Sequence, residues 1–327
     1  MNKLTHIFKL VWAYKIKKAT VLPYPPYQYT IESTNVCNFK CDFCPQSDPD
    51  HAACRPHGQL TIENFKLFLR KCRVVKPGNN NINFTLDGEP FINKNFTKFI
   101  ELAAKDGLFS IFASNGSLIN PEKADILTEA GPFRASIDFS SDKNIFETIR
   151  SKKDNYDKLL ENLRYLIKKA RENENVNLEI NDITTFAGVD PTESLMKMKN
   201  LFGSNFPSRV KFRTRVFHNF CGHLELGDEE KKKMYRLCPY PWTQMAVTYS
   251  GDCVACCRDT SARSIFGNIF EDDIEKIWNG EKYQLFRQNL LDKRPELNKA
   301  CKDCDLSYSG GDSKWRPGYV FRSLLRR

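Results

Sequence analysis

No run in this 327-residue chain approaches the about 20 consecutive apolar residues needed to cross a bilayer. Internal repeats and low-complexity linkers are also missing. The apolar stretch His6–Tyr14 is interrupted by Lys9 and lacks a small-residue cleavage site, so it makes a poor secretory signal. The net charge of +10 comes without any patch of interleaved basic and aromatic residues, which sets nucleic acid aside as a partner. Lysines spread instead over helical segments such as Asp154–Arg171, the pattern of a solvated face. Both ends are basic, at Lys15-Ile-Lys17-Lys18 and Arg322-Ser-Leu-Leu-Arg326-Arg327. The first of these suits either an amphipathic helix on a membrane surface or an ordinary capping helix, the second being the simpler reading. A chain with 12 cysteines, no signal and this length is a poor disulfide scaffold. Metal in a reducing, cytoplasmic setting is expected.

The cysteines cluster. Cys37-Asn-Phe-Lys-Cys41-Asp-Phe-Cys44 aims three thiolates from one short loop at a common point. Three protein ligands on a 4Fe–4S cubane leave one iron open to a small molecule. The competing readings are a zinc knuckle or three core cysteines. Zinc more often takes two separated pairs, and no histidine lies inside this motif to complete a tetrahedron.

Strands and helices alternate along the middle of the chain. Strand patterns occupy Tyr27–Glu32, Asn81–Leu86, Leu108–Ala113, Phe133–Ile137, Val176–Ile183 and Arg209–Phe217. Helical patterns occupy Thr61–Cys72, Asn95–Lys105, Pro121–Ala130, Asp154–Arg171 and Pro191–Leu201. This order predicts an α/β fold of parallel crossovers, and about six units fit a partial, three-quarter β/α barrel rather than a full one. Expected domains are an N-terminal helix over 1–22, the barrel over 23–220 and a small C-terminal iron–sulfur extension over 221–327. Parallel sheets place sites at the carboxyl ends of strands. Cys37–Cys44, Asp87-Gly88-Glu89-Pro90, Ser114-Asn115-Gly116 and Ser136-Ile-Asp138 follow or end the first four strands. Each alone reads as a turn; together they converge. Phe39, Phe43 and Phe84 either wall the barrel interior or belong to its core.

The triad, with Phe43 before its last cysteine, resembles the radical S-adenosylmethionine (radical SAM) enzymes, and the resemblance runs from about Pro23 to Cys304. Asp87-Gly-Glu-Pro90 is similar to that family's Gly-Gly-Glu-Pro motif, with aspartate in place of the first glycine. The resemblance implies that Cys37, Cys41 and Cys44 hold the cluster and that Gly88, Glu89 and Pro90 line the methionine end of SAM, Glu89 meeting its ammonium. Ser136 and Arg150 are implied for the carboxylate and Asn115 for the ribose side. It also implies reductive cleavage of SAM to a 5′-deoxyadenosyl radical, fed by a reducing partner such as flavodoxin or ferredoxin.

A second constellation follows: Cys238, then Gly251-Asp-Cys253-Val-Ala-Cys256-Cys257, then Cys301-Lys-Asp-Cys304. Cys238 to Cys256 reads C-x12-G-x4-C, and four such ligands suit either structural zinc or a fully ligated cubane. The segment resembles the SPASM/twitch extension of radical SAM enzymes, which implies a second, auxiliary 4Fe–4S cluster on Cys238, Cys256, Cys301 and Cys304. Cys253 and Cys257 compete with Cys256. No cysteine follows Cys304, which favours the shorter twitch form. Cys54, Cys72 and Cys221 are left over; Cys72 reads as core. Catalytic candidates are Cys221, as a hydrogen-atom donor, and His218, as a proton acceptor.

Three functions fit. The first is oxidation of a small hydroxylated, sugar- or cyclitol-like molecule, with the auxiliary cluster accepting an electron. The second is modification of a peptide or protein, for which the 36 residues before Cys37 are too few to form a leader-binding domain. The third is a non-catalytic iron–sulfur electron carrier, which needs no sulfonium site.

Overall fold

The structure, a computed structural model, describes residues 3–150, 155–215, 218–224 and 235–307. The basic run Arg322–Arg327 lies outside them. The described residues fall into two compact units, one drawn from 31–69 and 80–217, the other from 1–30, 70–79 and 218–327.

The first unit is the partial barrel. Its strands are β1 (Gln28–Ile31, entering at Ile31), β2 (Asn81–Asn83), β3 (Phe109–Ser114), β4 (Phe133–Phe139), β5 (Val176–Asp182) and β6 (Val210–Thr214), in the order β6-β5-β4-β3-β2-β1. From β2 to β6 every neighbouring pair is parallel. The crossovers carry helices whose ends the sequence marks. Asn120 Oδ1 accepts from the Lys123 amide at 2.9 Å ahead of helix Pro121–Ala130, and Asp190 Oδ1 accepts from Thr192 and Glu193 at 2.9 Å ahead of Pro191–Phe202. Three differences from the sequence reading affect the site. Strand β2 stops at Asn83, whose Oδ1 takes the Thr85 amide at 2.9 Å and turns the chain early. Strand β4 runs on to Phe139, so Ser136 sits within it rather than at its end. A further helix, Lys143–Arg150, was not marked by periodicity; Asp142 caps it by accepting from the Ile145 amide at 3.0 Å.

Phenylalanines fill the space between sheet and helices. Phe84 packs on Phe65, Phe96 and Phe99 at ring-centroid distances of 5.7, 5.3 and 6.5 Å. It therefore belongs to the helix-facing core. On β4, Phe139 meets Phe146, Tyr156 and Phe202 on that same side. The alternate residues Arg134, Ser136 and Asp138 are half-buried on the opposite face.

In the second unit, β7 (Gln244–Val247), β8 (Asp252–Val254) and β9 (Ile265–Asn268) form an antiparallel meander. Buried Arg287 ties its parts together by donating to the carbonyls of Pro241, Thr20 and Trp278 at 2.9, 2.8 and 2.8 Å. Its guanidinium also lies on the rings of Trp278 and Tyr283 at 4.4 and 4.5 Å. Trp278 Nε1 donates to the Tyr24 carbonyl at 3.0 Å, and Asn279 exchanges hydrogen bonds of 2.9 and 3.0 Å with the Leu22 backbone. Among the described residues no helix is long and apolar enough to cross a membrane.

Phe84→Ala leaves a ring-sized void in a closed aromatic cluster. It is expected to cost about 3–5 kcal/mol of barrel stability, measured by denaturant unfolding.

Candidate active site and auxiliary thiol site

The cysteine triad follows β1 on a loop that the neighbouring motif fixes. Gly88 has φ +68°, and a Cβ there would stand 2.4 Å from the Thr34 carbonyl oxygen and 2.7 Å from that of Val36. The Glu89 amide donates to the Val36 carbonyl at 2.8 Å, so the Asp87–Pro90 turn lies directly on the residues leading into Cys37. Glycine is required at 88 by both conformation and contact. Position 87 carries no such demand, as Asp87 does not have a positive φ.

Aspartate at 87 is put to use. Its Oδ1 accepts from Gln46 Nε2 at 2.7 Å and from the Gly88 amide at 2.9 Å. Its Oδ2 accepts from His51 Nε2 at 2.9 Å and Arg55 Nη2 at 3.4 Å. Arg55 also grips Glu32 through both nitrogens at 2.7 and 2.8 Å. Gln46 Nε2 reaches the Asn35 carbonyl as well, at 3.0 Å. The segment after Cys44 is thus latched onto the motif turn by buried, charge-assisted bonds.

Glu89 is fully buried, and burial lifts its carboxyl to about 6. Opposing that lift, it accepts from the Asn115 amide at 2.6 Å, Ser114 Oγ at 2.8 Å and the Phe91 amide at 3.2 Å. In the sequence Ser114 belongs to the converging Ser114-Asn115-Gly116 motif but carries no role of its own; here it ends β3. The Asn115 side chain donates to Asn38 Oδ1 at 2.8 Å and reaches Cys37 Sγ at 4.0 Å. Gly88, Glu89, Pro90, Asn115 and the triad are therefore contiguous.

Arg150, at the end of the unforeseen helix, donates through Nη1 to Cys41 Sγ at 3.3 Å and through Nη2 to the Asp138 carbonyl at 2.5 Å. Its guanidinium stands 5.7, 5.6 and 5.7 Å from the rings of Phe39, Phe43 and Phe146. Its Nε is buried with no hydrogen-bond partner, a donor of the kind a ligand carboxylate satisfies. Ser136 accepts from Asn181 Nδ2 at 2.8 Å, and Asn181 also reaches Asp138 Oδ1 at 3.0 Å. Burial pushes the Cys37 thiol up to about 12 and raises Cys44 further. The triad, with Cys41 buried and Cys37 and Cys44 half-buried, is a soft-donor set with an acidic and a basic group beside it, which fits an iron–sulfur cluster carrying an ammonium- and carboxylate-bearing ligand.

In the other unit, Cys221 and Cys304 share a buried cluster with Leu306, and Cys238, Tyr240 and Cys256 pack against it. Cys221 lies beside Cys256 and Cys304, and Cys301 lies near Cys238, Cys256 and Cys304. Cys253 is buried within β8, while Cys257 Sγ accepts from Gln244 Nε2 at 3.6 Å. Cys221 reaches the thiols through a run of left-handed backbone at Phe220, Cys221 and Gly222, with φ of 46°, 61° and 89°. Asn219 fastens that loop by donating to the Asp303 carbonyl at 2.6 Å and accepting from the Asp305 amide at 3.1 Å. His218 rests on Phe220 at 4.0 Å between ring centroids. Among the described residues no three Cys, His, Asp or Glu side chains close around a single metal ion. The fit to clusters rests on the donor sets and the loops that gather them.

Residues 31–199, just over half of the chain, match the family model of the Radical SAM superfamily, and residues 238–305 match that of SPASM, an iron–sulfur cluster-binding domain. The chain belongs to the radical SAM superfamily. It is an enzyme whose cofactors are SAM and a 4Fe–4S cluster, with auxiliary iron–sulfur in its SPASM segment. The S-adenosyl-L-methionine-dependent 2-deoxy-scyllo-inosamine dehydrogenase of Niallia circulans is 21% identical over 278 residues, covering 84% of this chain and 91% of that protein. The crystal structure of BtrN in complex with AdoMet and 2-DOIA is similar with a TM-score of 0.55 and 18% identity, over 85% of this chain and 92% of that one. Native anSMEcpe with bound AdoMet and Cp18Cys peptide gives a TM-score of 0.58 at 16% identity, over 92% and 98%. These structures share the radical SAM fold.

Four outcomes are expected. Gly88→Ala should lower stability by at least about 2 kcal/mol in thermal melts, because backbone atoms block the new methyl. Asp87→Gly should instead loosen the 46–55 segment and lower iron retention, although it restores the family residue. Glu89 ionises in the free protein near pH 6, so SAM affinity measured by calorimetry should fall as pH drops through about 6. Glu89→Gln should flatten that profile and weaken binding by about 1.5–3 kcal/mol, roughly 10- to 100-fold.

Proposed function

We propose that this radical SAM enzyme oxidises a small, hydroxyl-rich molecule of the sugar or cyclitol type. The supporting observation is the face of β4–β6 turned away from the helices. Parallel strands covered on both sides are usually apolar throughout. Here Arg134, Ser136 and Asp138 on β4 alternate with buried apolar residues, as do Asn177 and Glu179 on β5. Asn181 bridges Ser136 and Asp138, Arg213 Nε pairs with Glu179 Oε1 at 2.7 Å, and Arg215 Nε lies 3.7 Å from Asp138 Oδ2. This row of donors and acceptors suits vicinal hydroxyls, each able to give and take a hydrogen bond. The likeness to a cyclitol dehydrogenase over most of both chains supports the same reading.

In this reading Cys37, Cys41 and Cys44 hold the first cluster, and Glu89, Asn115 and Arg150 orient SAM by its ammonium, ribose side and carboxylate. The bound cofactors supply a hydrogen-abstracting 5′-deoxyadenosyl radical and an acceptor for the electron left on the substrate. Cys238, Cys256, Cys301 and Cys304 hold a single auxiliary cluster, with Cys221 a fifth thiol beside it rather than a donor to substrate. A flavodoxin or ferredoxin supplies reducing electrons. His218 stays a proposed proton acceptor, and unchanged turnover in His218→Gln removes it.

The protein, reconstituted anaerobically, should carry about eight irons. Incubated with SAM, reductant and a panel of cyclitols and aminocyclitols, it should release 5′-deoxyadenosine and a ketone in equal amounts. Turnover of peptides but of no polyol would replace this reading with peptide modification. Intact clusters without SAM cleavage would leave an electron carrier.

A further inference from the structure

The first helix, α1 (Lys3–Val11), continues through a π-helical turn over Trp12–Lys17. One face is fastened within its unit. Ile7, Leu10 and Ala13 are buried, His6 packs on Tyr24 and Tyr27 at 5.1 and 5.3 Å, and Tyr14 packs edge-on against Trp242 at 5.5 Å. Tyr14 also donates to the Leu237 carbonyl at 2.5 Å. That much matches a capping helix.

The opposite face is apolar too, and it is uncovered. Leu4, Phe8 and Ile16 are 75%, 71% and 70% exposed, with Trp12 at 39% between them. Their spacing of four is slightly more than one α turn and slightly less than one π turn, so the change of helix type keeps Ile16 in line with Trp12. A helix apolar on both sides ordinarily has both sides buried. The charge on the N-terminal segment that carries this stripe is all of one sign. Lys15, Lys17 and Lys18 are exposed and Lys9 is half-buried, while the sequence holds no aspartate or glutamate before Glu32. Lys17 Nζ lies 5.3 Å from the Trp12 ring, and Lys15 Nζ lies 5.4 Å from that of Tyr14.

We propose that this face of the first helix docks the enzyme on an anionic lipid surface, lying in the headgroup plane. Apolar and aromatic side chains in a row, bordered by lysines on flexible stems, match the two layers of such an interface: acyl chains at the boundary and phosphates above it. A protein partner with an apolar groove would give no reason for the lack of carboxylates along the segment that carries the stripe. A second copy of this chain would bring lysine against lysine. Docking of this kind requires no spanning helix.

The test is flotation of the reconstituted full chain with vesicles of neutral phosphatidylcholine alone or with about 30% phosphatidylglycerol. Co-flotation only with the anionic vesicles is expected, weakening at about 0.5 M salt, where surface charge is screened. Phe8→Glu and Ile16→Glu, both on the uncovered face, should each lower vesicle binding at least tenfold while leaving iron content, melting temperature and SAM cleavage at their starting values. Equal binding to both vesicle types, or none to either, would overturn the proposal. A dimer in light scattering that Phe8→Glu separates would also overturn it, assigning the face to a second copy.

Discussion

One backbone contact organises the barrel site: Gly88 pressed against the carbonyls of Thr34 and Val36. It brings the strand-end turn after β2 onto the chain leaving β1, and both the cysteine loop and Glu89 are positioned from there. Because Glu89 bonds Val36 through its amide and Asn115 through its carboxylate, the same turn links the first three strand ends. Arg150 brings in the fourth by holding Cys41 and the end of β4 at once. Four loops distant in sequence share one anchor that tolerates no side chain.

The two cysteine sites are built by different means. The triad comes from a single loop, so its spacing in sequence is nearly its spacing in space. The auxiliary thiols come from four separate places and are gathered by backbone bonding: Asn219 on the 303–305 loop, and left-handed residues that turn Cys221 inward. A left-handed cysteine is costly unless its surroundings over-determine it. The clamps on either side, Asn219 and the Gly222 contact with Asp303, do so here.

Much of this was legible in the residues. Parallel crossovers followed from the alternation of strands and helices, the triad from its spacing, and Gly88-Glu89-Pro90 from its resemblance to a family motif. Pro121 at its start and Gly131 just past its end marked the helix Pro121–Ala130 to the residue. What escaped notice depended on side chains meeting across the fold. The helix bearing Arg150 is short, and only its Asp142 cap announces it. The partners of Asp87 lie 32 to 41 residues away and nothing in the local pattern pairs them. The polar face of β4 and β5 had a signal, strict alternation inside a parallel strand, which normally belongs to half-exposed sheets. The place of Cys221 had none, because loop geometry alone carries it there.

The Asp87 latch bears on how such a chain can change over time. Gln46, His51 and Arg55 each give a hydrogen to the same carboxylate, so the acceptability of any residue at these four positions is conditional on the other three. Glycine at 87 would take one shared acceptor from three donors at once, leaving Gln46 on the Asn35 carbonyl and Arg55 on Glu32. A family signature written as two adjacent glycines would pass over this chain, although the glycine on which the geometry depends is present at 88.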